Sequence, residues 1–148
     1  MTRILVTDDD ALLDGAAAVW ASATATRDGG PVAPLHLARP LLSGLTVVVA
    51  LDPAGAVAGF AAVEGAVIRY VGVRPTDWGT GVGRQLMLFL PGLLAAAGHT
   101  HGTLAVYADN LPAVRLYTGL GWVPDGPPTP HPRSGRQEQR YRLVLPAT

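Results

Sequence analysis

Between Tyr70 and Met87 the sequence reads YVGVRPTDWGTGVGRQLM, with Gly79, Gly81 and Gly83 on alternate positions ahead of a helix-like run. Backbone N–H groups at a helix N-terminus, aided by the positive end of the helix dipole, attract anions, and glycine has no Cβ to keep a phosphate away. The loop reads as an anion cradle, although alternate glycines also serve tight turns. A dinucleotide site would instead show G-x-G-x-x-G after the first strand, with an acidic residue about 20 positions later. Neither condition is met, because the spacing differs and the loop follows the middle strands. His99 and His101, in GHTHG, have no third ligand nearby, so no metal site is expected.

Composition narrows the chemistry further. With 148 residues, 49% of them hydrophobic, the chain suffices for one domain with a core, residues 1–148, and is too short for two ordinary ones. Eleven Arg balance eleven Asp and Glu, so no net field draws the protein to nucleic acid or to an anionic membrane surface. The sequence contains no Cys, which excludes disulfides, thiolate zinc sites and a cysteine nucleophile. It contains no Lys either, which removes P-loop, Schiff-base and lysine-base mechanisms. The opening MTRILVTDDDALL breaks its apolar character with three aspartates and reads as neither signal peptide nor membrane span, so the protein is expected to be cytoplasmic.

The elements that must position the cradle alternate along the chain. Arg3 to Thr7 reads as a short strand, and one of Asp8, Asp9 or Asp10 caps the Ala-rich helix that follows. RDGGPVAP ends that helix, and LHLARPLLSG reads as either a short helix or an irregular connection. TVVVALD, from Thr46 to Asp52, is a β-branched strand; a PAG turn leads to two further strands meeting near Glu64 and Gly65, which makes an antiparallel meander. Beyond the glycine loop, Val82, Leu86, Phe89, Leu90, Leu93 and Ala97 recur at helical spacing, with Pro91 expected to kink the helix and Gly98 to end it. TLAVYA is a strand, LPAVRLYTGL a helix, and WVP and QRYRLVLP a last pair of strands joined by a Pro-rich loop. The whole predicts an α/β (α+β) protein with a mixed sheet and helices on its faces.

Two spaced signatures give these elements a family. VGVRPTDWGTGVGRQLM resembles the acetyl-CoA motif of the GCN5-related N-acetyltransferases (GNAT), a strand ending V-x-V-x-P followed by R/Q-x-x-G-x-G/A and a helix. LAVYADNLPAVRLYTGLGW resembles the family's second signature through Asn110, Ala113, Tyr117 and the Gly121-Trp122 pair. The resemblance implies a mostly antiparallel central sheet of six to seven strands with about four helices, acetyl-CoA as cosubstrate, and direct transfer of its acetyl group to an amine in a ternary complex. A small molecule and a peptide N-terminus are both open as acceptor, and a homodimer would suit the family.

Site roles follow from the resemblance residue by residue. Pantetheine would pair with the backbone of Val71, Gly72 and Val73 like an added strand, with Gly72 at a strained or bulged position. The pyrophosphate would rest on the N–H groups of Gly79, Thr80, Gly81, Val82, Gly83 and Arg84, with a further contact from the Arg84 side chain. An N–H near Val73 would hold the charge developing on the thioester oxygen. Tyr117 falls where the family places the general acid for the leaving thiolate, and Asn110 would reach pantetheine or order water. Read from spacing alone, Tyr117 is equally a packed aromatic beside Ala113 and Leu120.

The sequence departs from the pattern in two places. Trp78 stands where the family has Arg or Gln, which leaves phosphate binding to backbone donors and predicts weaker cofactor binding. Val67 stands where some members carry a glutamate base; Glu64 is the nearest carboxylate, with backbone-held water or Asp109 as the other routes for removing the amine proton. Arg133, Arg136, Arg140 and Arg142 read as the solvated face of a hairpin or as a recognition surface for an acidic substrate or the CoA 3′-phosphate. Two other functions are weighed. A catalytically silent acyl-CoA-binding or sensing protein would share both signatures. A response-regulator receiver domain resembles RILVTDDDALL and would place a phosphoacceptor near Asp52, but its chemistry needs a lysine that this chain does not have.

Overall fold

The structure, a computed structural model, describes residues 2–147. Strand β1 spans Arg3–Thr7, and the Asp9 carboxylate then accepts the Leu12 N–H at 3.0 Å, so Asp9 is the cap among the three candidate aspartates. Helix α1 runs Asp10–Asp28 and stops at Gly29. The ambiguous connection holds a single helical turn, α2 (Leu35–Ala38), and a 3-10 turn at Arg39–Leu42. The meander follows as β2 (Thr46–Leu51), β3 (Val57–Glu64) and β4 (Val67–Val73). A 3-10 turn at Pro75–Asp77 leads into the glycine loop and α3 (Val82–Ala96), which holds Pro91 within it. Then come β5 (His101–Tyr107), α4 (Leu111–Gly119), β6 (Val123–Pro124), β7 (Thr129–Pro130) and β8 (Gln137–Val144).

The architecture is mixed α/β, with a mostly antiparallel sheet of eight strands and four helices among the described residues. The antiparallel meander rules out the doubly wound parallel sheet of a receiver domain. The count exceeds the expected six to seven because two residues of the Pro-rich loop, Thr129 and Pro130, pair with Glu138 and Gln137. Proline argues against a strand in general, yet it fits at an edge where its missing N–H is not needed.

The chain groups into two compact units, Met1–Glu64 with Tyr70–Leu86 and Gly65–Arg69 with Met87–Thr148. In the first, the strand order is β1-β2-β3-β4. Val47, Val49 and Leu51 of β2 and Phe60 and Ala62 of β3 form one buried cluster with Ala16, Ala17, Val19 and Ala21 of α1. The run of alanines on α1 lets the helix approach the sheet closely. On β3, a Cβ at Gly59 would stand 2.8 Å from Val82 Cγ1 and 3.2 Å from Leu86 Cδ1, so the first turns of α3 use the space that Gly59 leaves.

In the second unit the order is β4-β5-β8-β6, with β7 also on β8. β4 and β5 run parallel, and their ladder covers only Val67↔Thr103 and Ile68↔Leu104. β5 and β8 pair over seven positions, from His101↔Val144 to Tyr107↔Glu138. Trp122 is 2% exposed, and its Cη2 lies 3.2 Å from where a Cβ on Gly102 would be. Its indole nitrogen is the one buried side-chain N or O among the described residues without a hydrogen-bond partner.

Two stability predictions follow from these contacts. Gly59→Ala should destabilise by about 1–3 kcal/mol in urea unfolding, since the new methyl also meets the Gly72 carbonyl at 3.1 Å, and backbone cannot swing aside. Trp122→Phe should change stability by only about 1 kcal/mol, well under the usual cost of truncating a buried aromatic, because it also removes the orphaned N–H. A loss near 4 kcal/mol would show that the orphan carries no penalty.

Candidate functional site

In the first unit, the end of β4 and the start of the glycine loop are tied down by Arg74. Its backbone N–H reaches Ala58 O on β3 at 2.7 Å. Its guanidinium lies between Asp77 (Nε to Oδ2, 2.6 Å) and Asp52 (Nη2 to Oδ2, 3.2 Å). Asp52 in turn accepts the N–H groups of Ala54 and Ala56 at 2.9 and 3.0 Å, closing the turn between β2 and β3. The N–H of Ala56 first, then Arg74 and Ala54, hold the Asp52 carboxyl below its ordinary range despite some desolvation, and Asp77 chiefly raises the Arg74 guanidinium. Sequence reading missed this strap; the i,i+3 spacing of Arg74 and Asp77 and the Asp-Pro-Ala-Gly turn were its only local signals. Asp52 is thus a turn-former and ion-pair partner.

The cradle follows directly. Gly79 and Gly81 have φ of 80° and 95°, a left-handed backbone in which a side chain is strained, and a Cβ on either would meet nothing within 4 Å. The positions need glycine for their backbone angles and face open space. The first helical hydrogen bond of α3 runs from Gln85 N–H to Gly81 O at 3.0 Å, so the N–H groups of Val82, Gly83 and Arg84 have no acceptor within the helix. Gly81 has no side chain to cap them, and the nearby Thr80 hydroxyl is turned to Asp77 O at 2.5 Å. Thr80 also gives its N–H to Asp77 O, at 3.2 Å, which takes it off the list of free donors. Arg84 is exposed and forms no ion pair among the described residues. The arrangement is a cluster of converging donors beside a free guanidinium, which fits a phosphate or pyrophosphate.

Along the last residues of β4, the Arg74 N–H and the Gly72 carbonyl are turned to β3, so by strand alternation Val71 and Val73 present their N–H and C=O groups on the opposite edge. Gly72, expected at a strained or bulged position, does not have a positive φ, so left-handed backbone is not what selects glycine there. A Cβ would come within 2.7 Å of Phe60 Cε1, and the requirement is room for that ring. Trp78, 47% exposed, donates its indole N–H to Val73 O at 2.7 Å. Glu64 lies exposed at the end of β3, beside the turn.

In the second unit, Asn110 stands at the head of α4, where its side chain makes no cap bond, and Ala113 is half-buried one turn on. Tyr117 is 8% exposed, and burial pushes its phenol up to about 12. Past β5, Arg136 stacks over the Tyr107 ring at 3.9 Å and bonds Asp109 through Nη2 at 2.7 Å. Asp109 is therefore engaged by a guanidinium, which fits poorly with proton abstraction. Ser134 donates to the Tyr107 hydroxyl at 3.2 Å, and His131 packs edge-on to the same ring, so the Pro-rich loop is pinned to the end of β5. Arg136 thus serves this loop, whereas Arg133, Arg140 and Arg142 are exposed. Among the described residues no helix is long and apolar enough to cross a membrane.

A model of the Acetyltransferase (GNAT) family matches residues 18–122. The fold is similar to that of the ribosomal-protein-S18-alanine N-acetyltransferase from Escherichia coli, at 20% identity, TM-score 0.74, over 100% of this chain and 96% of the other. A GCN5-related N-acetyltransferase from Kribbella flavida is similar at 23% identity and TM-score 0.78, over 97% and 98% of the two chains. So is yncA from Salmonella typhimurium, solved with its cofactor acetyl-CoA, at 19% identity and TM-score 0.78, over 100% and 96%. At these identities the likeness establishes the fold. No curated protein sequence matches the chain.

The strap has a pH dependence whose sign is fixed by Asp52. Its folded pKa lies below the ordinary 3.8, so its contribution is complete above that value and disappears as pH falls through the lower folded value. Thermal unfolding of Asp52→Asn should therefore lose less stability than wild type on acidification below 3.8. Parallel acid limbs for the two proteins would remove Asp52 from the strap.

Proposed function

The chain belongs to the GNAT acetyltransferase family, and on that premise we propose that it transfers an acetyl group from acetyl-CoA directly to an amine in a ternary complex. The observation that carries this reading is the cradle at the head of α3, where uncapped N–H groups and Arg84 surround two positive-φ glycines facing open space. Acetyl-CoA supplies the activated thioester. In this reading Gly79, Gly81, Val82, Gly83 and Arg84 hold the pyrophosphate, the outward groups of Val71 pair with pantetheine, and the Val73 N–H, beside a carbonyl taken by Trp78, receives the charge on the thioester oxygen. Asn110 offers its unused amide to pantetheine.

Tyr117 is the proton donor to the departing sulfur. A phenol near 12 is protonated throughout the working range, which suits a donor. An ordinary thiol titrates at about 8.5, well below such a phenol, so complete transfer runs uphill. Tyr117 therefore stabilises the thiolate chiefly as a hydrogen-bond donor, with the proton passing over only where the sulfur is itself desolvated. Water held by backbone carbonyls takes the amine proton, with Glu64 as the alternative base. For the acceptor, α1 and residues 32–38 of the first unit border an apolar cavity of about 390 Å³ lined by Ala17, Ala21, Val32, Leu35 and Ala38, with Asp14 at its edge. This supports an amine that carries a small apolar group.

Calorimetric titration tests the cofactor. Acetyl-CoA and CoA should bind saturably, and NAD and ATP should not. Gly81→Ala should weaken both CoA ligands at least about tenfold, because a methyl at φ of 95° strains the loop that presents the donors. Once thiol release identifies an amine, Tyr117→Phe should lower kcat by about 10- to 100-fold while acetyl-CoA affinity is retained. Normal acetyl-CoA binding with no turnover on any amine would favour the silent acyl-CoA binder instead.

A further inference from the structure

We infer that Trp78 is a positioning residue for the thioester end of the cofactor, a role that rests on the acetyl-CoA reading above. The peptide unit between Val73 and Arg74 is held at both ends. Its N–H goes to Ala58 O on β3 at 2.7 Å, and its C=O accepts the Trp78 indole N–H at 2.7 Å. A peptide held at one end can still rotate about the neighbouring single bonds; held at both, its plane is fixed. The Val73 N–H belongs to the preceding unit, whose Gly72 carbonyl is turned to β3, so with the units on both sides of Val73 restrained that N–H points in one direction. That N–H is the donor turned away from β3 at the end of the strand, where the carbonyl of an acetyl thioester would need it.

Trp78 is well built for this. Its own N–H bonds Pro75 O at 3.2 Å, within the turn that Arg74 and Asp77 close at 2.6 Å, so the indole is delivered from a rigid segment. The resemblance puts a phosphate-directed Arg or Gln here. In this chain the side chain reaches back five residues to the strand, and the pyrophosphate is left to the backbone donors and Arg84. Phosphate grip and carbonyl orientation are thereby assigned to different residues. Loss of the indole N–H should disturb the acetyl group and spare the nucleotide.

The test compares acetyl-CoA with CoA, which carries no acetyl carbonyl. On binding to the wild-type protein, the infrared carbonyl band of ¹³C-labelled acetyl-CoA should move to lower frequency, reporting the hydrogen bond. Trp78→Phe keeps a half-exposed ring and deletes the donor. It should reduce the shift and weaken acetyl-CoA about three- to tenfold, with CoA affinity unchanged within about twofold. Trp78→Gln places an amide N–H the same number of bonds from Cα and should restore part of the shift. An unaltered band in Trp78→Phe overturns the inference. Equal weakening of both ligands also overturns it, because Trp78 would then only support the loop. Failure of the wild-type protein to bind either ligand would bring down the acetyl-CoA reading and this role with it, and the wild-type titration alone identifies that case.

Discussion

The position of the cradle depends on one residue at the end of a strand. Arg74 gives its backbone N–H to β3 and its guanidinium to Asp52 and Asp77, so the same residue ends β4, closes the following turn and starts the glycine loop. Each link is local and short. Together they join the β2–β3 turn to the loop that opens α3, and a half-buried guanidinium with two carboxylate partners is more geometrically restrictive than an exposed pair. Without it, left-handed glycines would be free to sample many conformations, and the N–H groups of Val82 to Arg84 would converge on no fixed point.

The first unit combines that restraint with small side chains. Alanines on α1 and glycines on β3 and β4 remove the bulk that would hold helix and sheet apart, and Phe60 fills the room that Gly72 leaves. Charge is kept at the surface, where Arg39 bridges Asp10 and Asp14 on α1 at 3.3 and 3.2 Å. In the second unit the important polar group is buried. The Tyr117 phenol loses solvation, which makes its anion costly and keeps it protonated at any ordinary pH.

Much of this was legible in the chain. A β-branched run marked β2, the break near Glu64 and Gly65 separated β3 from β4, Asp8 to Asp10 marked the start of α1, and the glycine spacing marked the cradle, because each signal acts over a few residues through backbone sterics or capping. The connection after α1 stayed ambiguous, and it is a single turn plus a 3-10 turn, too short for periodicity to identify. β7 was hidden by its proline, which an edge position tolerates.

The sequence alone determined the family signatures, the alternation of elements, the missing lysine and cysteine chemistry, and the glycine loop ahead of α3. Tertiary structure decided the partners. Asp52 looks like an acidic site and is the far end of a strap 22 residues from Arg74; Asp109 looks like a base and is held by Arg136, 27 residues on. Trp78 looks like a lost phosphate ligand and instead fixes the peptide at the end of β4. The physical reason is common to all three: a side chain's hydrogen-bond partner is set by which strand ends and turns the fold brings within about 3 Å, and no local propensity encodes that distance.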